Sequence, residues 1–160
     1  MRTLLILLTA TFALSLASCT GDKVAYNEFV SLADAKWDKD TLAVFRAEIS
    51  DTTSFYDIHV QVRNDNSYAF SNLWLFVDVI SPDGRMRRDT IECTLANPDG
   101  SWIGGGWGSL YSTRCPYMMA VRFFTPGPYT FRLTQGMRKD QLSGIHDVGL
   151  LIEGRQDTNQ

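Results

Sequence analysis

Histidine is almost missing from this chain: His59 and His146 are two residues among 160. Nucleophile-based hydrolysis needs a base beside a Ser or Cys, so the scarcity removes most routes to it. His59 falls on the polar side of an alternating segment, between Asp57 and Gln61, as a solvated strand residue does. His146 precedes Asp147, and neighbours on a strand point to opposite faces, so these two do not pair as base and orienter. Neither histidine stands at ligand spacing from one of the three cysteines, so no metal and no other cofactor is expected. A basic excess is missing too: 15 Lys and Arg face 18 Asp and Glu, which argues against a nucleic-acid surface. The short basic cluster Arg85-Met86-Arg87-Arg88 sits beside a turn, where a solvated hairpin end accounts for it.

Also lacking is any connection with a helical pattern of roughly 10–15 residues, which sets aside parallel α/β architectures and most nucleotide sites. The glycine cluster Gly104-Gly105-Gly106-Trp107-Gly108 has no Lys-Ser/Thr and no following helix, so it reads as a mobile or tightly bent loop. Eighteen carboxylates make some pair at glycosidase spacing inevitable, but none lies in a motif, and an enzyme is not expected.

The N-terminus is where a strong signal stands. Arg2 is followed by an apolar run from Leu4 to Leu16, 13 residues, too short for a membrane span of about 20. Leu16-Ala17-Ser18-Cys19 then has the form of a bacterial lipobox, which makes Cys19 the lipidated first residue of the mature chain. Two or three acyl chains give durable membrane attachment where one gives only marginal binding. Thr20 after the cysteine favours the outer membrane by the enteric sorting rule. Thr20-Gly21-Asp22-Lys23 is not an acidic export run, which points to the periplasmic face.

Removing residues 1–18 leaves 142 residues, one typical domain. Period-two alternation dominates it: Ala43, Phe45, Ala47 and Ile49; Tyr56, Ile58, Val60 and Val62; Tyr129, Phe131 and Leu133; Val148, Leu150 and Ile152. Segment 72–80 is apolar on both faces, as a central strand or one with an aromatic outer face would be. Asn64-Asp65-Asn66, Ser81-Pro82-Asp83-Gly84, Asn97-Pro98-Asp99-Gly100 and Pro126-Gly127-Pro128 supply turns. The expectation is an all-β, antiparallel β-sandwich, Ig-like or jelly-roll-like, of about seven or eight strands. Its parts are a signal peptide (1–18), a lipidated tether with a first irregular or edge segment (19–40), the sandwich (41–154) and a flexible tail (155–160). Gly136 to Ser143 alone looks capable of a helical turn.

Cys93 and Cys115 remain after lipidation, in a compartment that permits disulfides. A bridge would close a loop of about 20 residues and stabilise by roughly 3 kcal/mol. Against it, Cys93 shares the face of Ile91 and Leu95, where a free thiol packs as a small hydrophobe. Trp74, Trp102 and Trp107 are the candidate contacts for a ligand or partner, since exposed indoles stack sugar rings and two of them flank the glycine loop. Core packing of Trp74 and loop anchoring by the other two is the alternative.

Several blocks together resemble the GldH family of gliding-motility lipoproteins from Bacteroidetes. They are Tyr56-x-Ile58-x-Val60-x-Val62-Arg63-Asn64, Tyr68-x-Phe70-x-Asn72-Leu73-Trp74-Leu75-Phe76, Gly100-x-Trp102-x-Gly104, Gln135-Gly136-Met137-Arg138 and Leu142-x-Gly144-Ile145-x-Asp147-Val148-Gly149-Leu150-x-Ile152-Glu153. The resemblance runs from about Tyr26 to Glu153 and includes the lipobox. It implies a non-enzymatic, lipid-anchored envelope component, linked to gliding and type IX secretion machinery through envelope protein partners, and it brings no catalytic residues. An envelope glycan-binding module is the second reading. Arg63-Asn64 and Arg138 are further candidate partner contacts.

Overall fold

The computed structural model describes residues 23–155; the signal segment, Cys19 and residues 156–160 lie outside the described residues. Strands run β1 (Lys23–Ser31), β2 (Lys36–Asp38), β3 (Ala43–Ile49), β4 (Tyr56–Asn64), β5 (Asn72–Ile80) and β6 (Met86–Thr94). They continue with β7 (Gly105–Trp107), β8 (Leu110–Val121), β9 (Gly127–Gln135), β10 (Gln141–Ser143) and β11 (Ile145–Gly154). One sheet has the order β1-β11-β4-β8-β7, the other β3-β9-β5-β6, and β10-β2 forms a small ribbon. Every pairing is antiparallel, and the expected β-sandwich is the architecture.

Alternation decides which side chains meet between the sheets. β3 buries Ala43, Phe45, Ala47 and Ile49 while Val44, Arg46 and Glu48 face out. Leu73, Leu75, Val77, Phe131 and Leu133 add to that layer, and Ile58, Val60, Val62, Val148, Leu150 and Ile152 oppose it, all essentially inaccessible to water. Segment 72–80 is an interior strand with an aromatic outer face: Trp74 and Phe76 are each 39% exposed beside a fully buried inner row. The outer face of β4 is less wet than its polar residues suggested. Gln61 is buried and donates to Asn27 Oδ1 of β1 at 2.8 Å, reaching over Gly149, its side-chain-free neighbour on β11.

Three expectations need correction. The sandwich begins at Lys23 rather than at residue 41, because β1 pairs along its length with β11. As an edge strand with most side chains exposed, it shows no clean alternation. Trp37, assigned to the tether segment, is fully buried and donates from Nε1 to Thr41 O at 3.0 Å. Gly136–Ser143 forms no helical turn, while a short 3-10 turn occupies Ala33–Ala35. The buried Gln135 side chain shapes 136–140 instead, donating to Lys139 O (2.8 Å) and accepting from Met137 N (2.8 Å).

The registers define two ends. Lys23, Gly154, Tyr56 and Val121 lie together at the entry end, joined by the loops after Ile49, Ile80 and Val121. Asn64, Tyr111, Asp147 and Ser31 mark the far end, where the β7–β8 hairpin projects. The nine residues of β4 separate the ends by about 30 Å.

Candidate functional site

The far end is assembled around Asp65. Its Oδ1 accepts from Ser67 N (2.8 Å) and Ser67 Oγ (2.5 Å), a turn closed by its own side chain, and its Oδ2 stands 2.7 Å from His146 Nε2. The Ser67 hydroxyl first, and then His146, hold the Asp65 carboxyl below its usual range. Asp65 N donates to Gly144 O at 2.9 Å, which ties the turn to the entrance of β11. Gly144 has φ +87°, and a Cβ there would lie 2.4 Å from Tyr68 N, so no other residue fits without moving backbone. His146 thus finds its carboxylate in a distant turn, a pairing that only the fold creates. Asp147 turns the other way, toward Ser31 Oγ (2.6 Å) and the Arg63 guanidinium (3.7 Å).

Aromatic rings brace the same end. Phe70, Tyr68, Trp102 and Tyr111 form a row with centroid separations of 5.6, 6.5 and 5.8 Å. Tyr68 is buried and donates to Asn72 O at 2.8 Å; burial pushes its phenol up. Trp102 spends its N–H on Asn66 Oδ1 at 2.9 Å, so it anchors the loop as the simpler reading had it. Trp107 is the opposite case: 94% exposed at the hairpin tip. The hairpin is tightly bent because Gly106 lies so near Leu110 O that a Cβ would sit 1.9 Å from it. Trp74 stands on the outer face of the other sheet, so the three candidate tryptophans form no common platform.

Arg63 stacks over the Phe29 ring at 3.8 Å, and that ring covers Gly149, which leaves Arg63 a surface brace. Arg138 is exposed on the 136–140 loop. Arg85, Arg87 and Arg88 each pair with a carboxylate, Asp83, Asp89 and Asp78 in turn. Cys93 and Cys115 are buried, each as a free thiol. They meet across the sheets from β6 and β8, and a hydrogen bond between them, together with burial, pushes the Cys93 thiol up. Gln135 and the Asp65–His146 pair were not anticipated. The Asx-turn spelling Asp65-Asn66-Ser67 was the one local signal for the latter.

Residues 24–152 match the family model described as GldH lipoprotein. A relative from Christiangramia forsetii, "Gliding motility lipoprotein GldH homolog", is 35% identical across 89% of this chain and 91% of its own length. "Gliding motility lipoprotein GldH" of Flavobacterium johnsoniae is 36% identical across 88% of this chain and 91% of its own. Among solved structures, TmCBM61 in complex with β-1,4-galactotriose covers 85% of this chain and 92% of its own at 9% identity and a TM-score of 0.32, too slight a likeness to carry a shared fold or ligand. An infectious bursal disease virus structure (Gx strain) reaches a TM-score of 0.33 at 12% identity, covering 85% of this chain and 33% of its own. On the family match and the two curated relatives together, the chain belongs to the GldH family of gliding-motility lipoproteins.

Proposed function

We propose that this protein is a non-enzymatic lipoprotein of the outer membrane, tethered through Cys19 on the periplasmic face, whose far end contacts a protein partner in the gliding and type IX secretion-linked machinery. One observation carries the reading. Gly100-x-Trp102-x-Gly104 and Gln135-Gly136-Met137-Arg138, together with the Arg63-Asn64, Tyr68-x-Phe70-x-Asn72 and Leu142-x-Gly144 portions of three longer blocks, are scattered through the sequence yet lie at the end opposite Lys23, while the rest of those longer blocks runs through the sheets toward Tyr56 and Glu153. Packing alone needs the Tyr68, Trp102 and Gly144 positions; the fully projecting Trp107 is what packing does not need.

Complementation in cells lacking the protein tests this. Trp107→Asp, on an exposed tip, should accumulate to normal levels, stay at the membrane and fail to restore spreading, while Cys19→Ala should fail because the tether is lost. Full function from both variants would overturn the proposal. A glycan-binding role draws on Trp107 and on the outer-face Trp74, which share no platform, and titrations against peptidoglycan and common polysaccharides should be flat.

A further inference from the structure

The entry end carries several exposed apolar side chains. Phe124 is 87% exposed, Met86 62%, Val24 53%, Met119 48% and Phe55 42%, and all five cluster around the loops that meet there. Between the sheets at this end opens a cleft of about 480 Å³ with Ile58 and Phe131 inside and Met86 and Phe124 at its mouth. Its charged lining residues are all arginines, Arg85, Arg87 and Arg122. Arg85 and Arg87 have carboxylate partners. Arg122 lies over the Phe55 ring at 5.4 Å and, among the described residues, pairs with no carboxylate.

We propose that this end is seated on the phospholipid surface of the membrane that holds the tether, with Phe124 and Met86 entering the acyl boundary and Arg122 against headgroup phosphates. The inference rests on lipidation of Cys19. Four residue steps separate Cys19 from Lys23, a reach of at most about 14 Å whatever path the chain takes. The polar zone of a leaflet takes about 5–7 Å of that reach. What remains is narrower than one α-helix, whose diameter is about 10–12 Å, so a folded partner has no room between this end and the lipid. Exposed aromatic and Met side chains beside an arginine are the combination that binds the interface.

The test uses the lipidated full-length chain in phosphatidylethanolamine–phosphatidylglycerol vesicles containing nitroxide lipid. Phe124→Cys and, at the other end, Trp107→Cys each take an environment-sensitive thiol fluorophore; both positions are exposed, so the label leaves the core alone, and Cys93 and Cys115 are buried. The probe at 124 should shift to the blue and be quenched several-fold more strongly than the probe at 107. Adding Arg122→Glu should weaken that quenching. Equal, water-like emission from both probes on vesicles that still carry the protein would overturn the seating while leaving the tether standing, and stronger quenching at 107 would reverse the orientation and overturn it too. Protein that does not float with vesicles would overturn the tether, and the seating with it.

Discussion

Leu150 shows how a single side chain commits the last strand to its face. It is fully buried in the alternation Val148, Leu150, Ile152, opposite Val60 of β4 and Glu28 of β1. Leu150→Ala should therefore cost about 2–5 kcal/mol, the range for truncating a packed leucine. Leu150→Asp should cost more, because an unpaired carboxylate replaces apolar volume where nothing can solvate it. Urea denaturation of the two variants checks the order; wild-type stability in the aspartate variant would mean that this face does not close the core. Trp107 teaches the converse. The same residue type as buried Trp37 is left almost wholly in water, because its glycine neighbours allow a hairpin too tight and too far out to fold back on the sheets.

Among elements, those with one buried face were legible and those without one were not. β3, β4, β9 and β11 could be read from alternation because one face of each meets the opposite sheet. β1 could not, since an edge strand with both faces largely wet has no apolar period. The far-end cluster stayed hidden for a related reason: Asp65 and His146 are 81 positions apart, and nothing local to either announces the other. Gln135 looked like one more polar strand end, yet its amide takes the place of helical bonds in the following loop. Cysteine spacing left the Cys93–Cys115 bridge open, and the strands bring the two buried thiols together from inner faces of opposite sheets, a placement that admits either the thiol pair or the bridge. A maleimide should leave both unmodified in the native lipidated chain and modify both once urea unfolds it. Mass spectrometry counts the adducts, and a chain that gains none in urea would be disulfide-bridged.

For the molecule as a whole, stability should fall on the acid side. Asp65 is held low by Ser67 and His146, and Asp78, buried on β5, by the two hydrogen bonds it accepts from Arg88 at 2.5 and 2.7 Å. A carboxylate with a depressed value in the folded state binds fewer protons there than in the unfolded chain. Its contribution is present above the unfolded value of about 3.9 and is lost as pH falls below that. Thermal unfolding should therefore hold from about pH 6 to pH 5 and drop below about pH 4, with a shallower drop in Asp78→Asn. A midpoint unchanged down to about pH 3 would show that these pairings do not differ between the folded and unfolded states.

β11 lies between β1 and β4, pairing with both, so the five-stranded sheet has a gap until residues 145–154 are in place. A ribosome or a translocon releasing the chain from its N-terminus delivers the closing strand last, and the long-range pairing Lys23↔Gly154 is unavailable before then. Topology thus defers completion of this sheet: the strand beside the N-terminal segment gains its pairing partner only when the other terminus of the chain arrives.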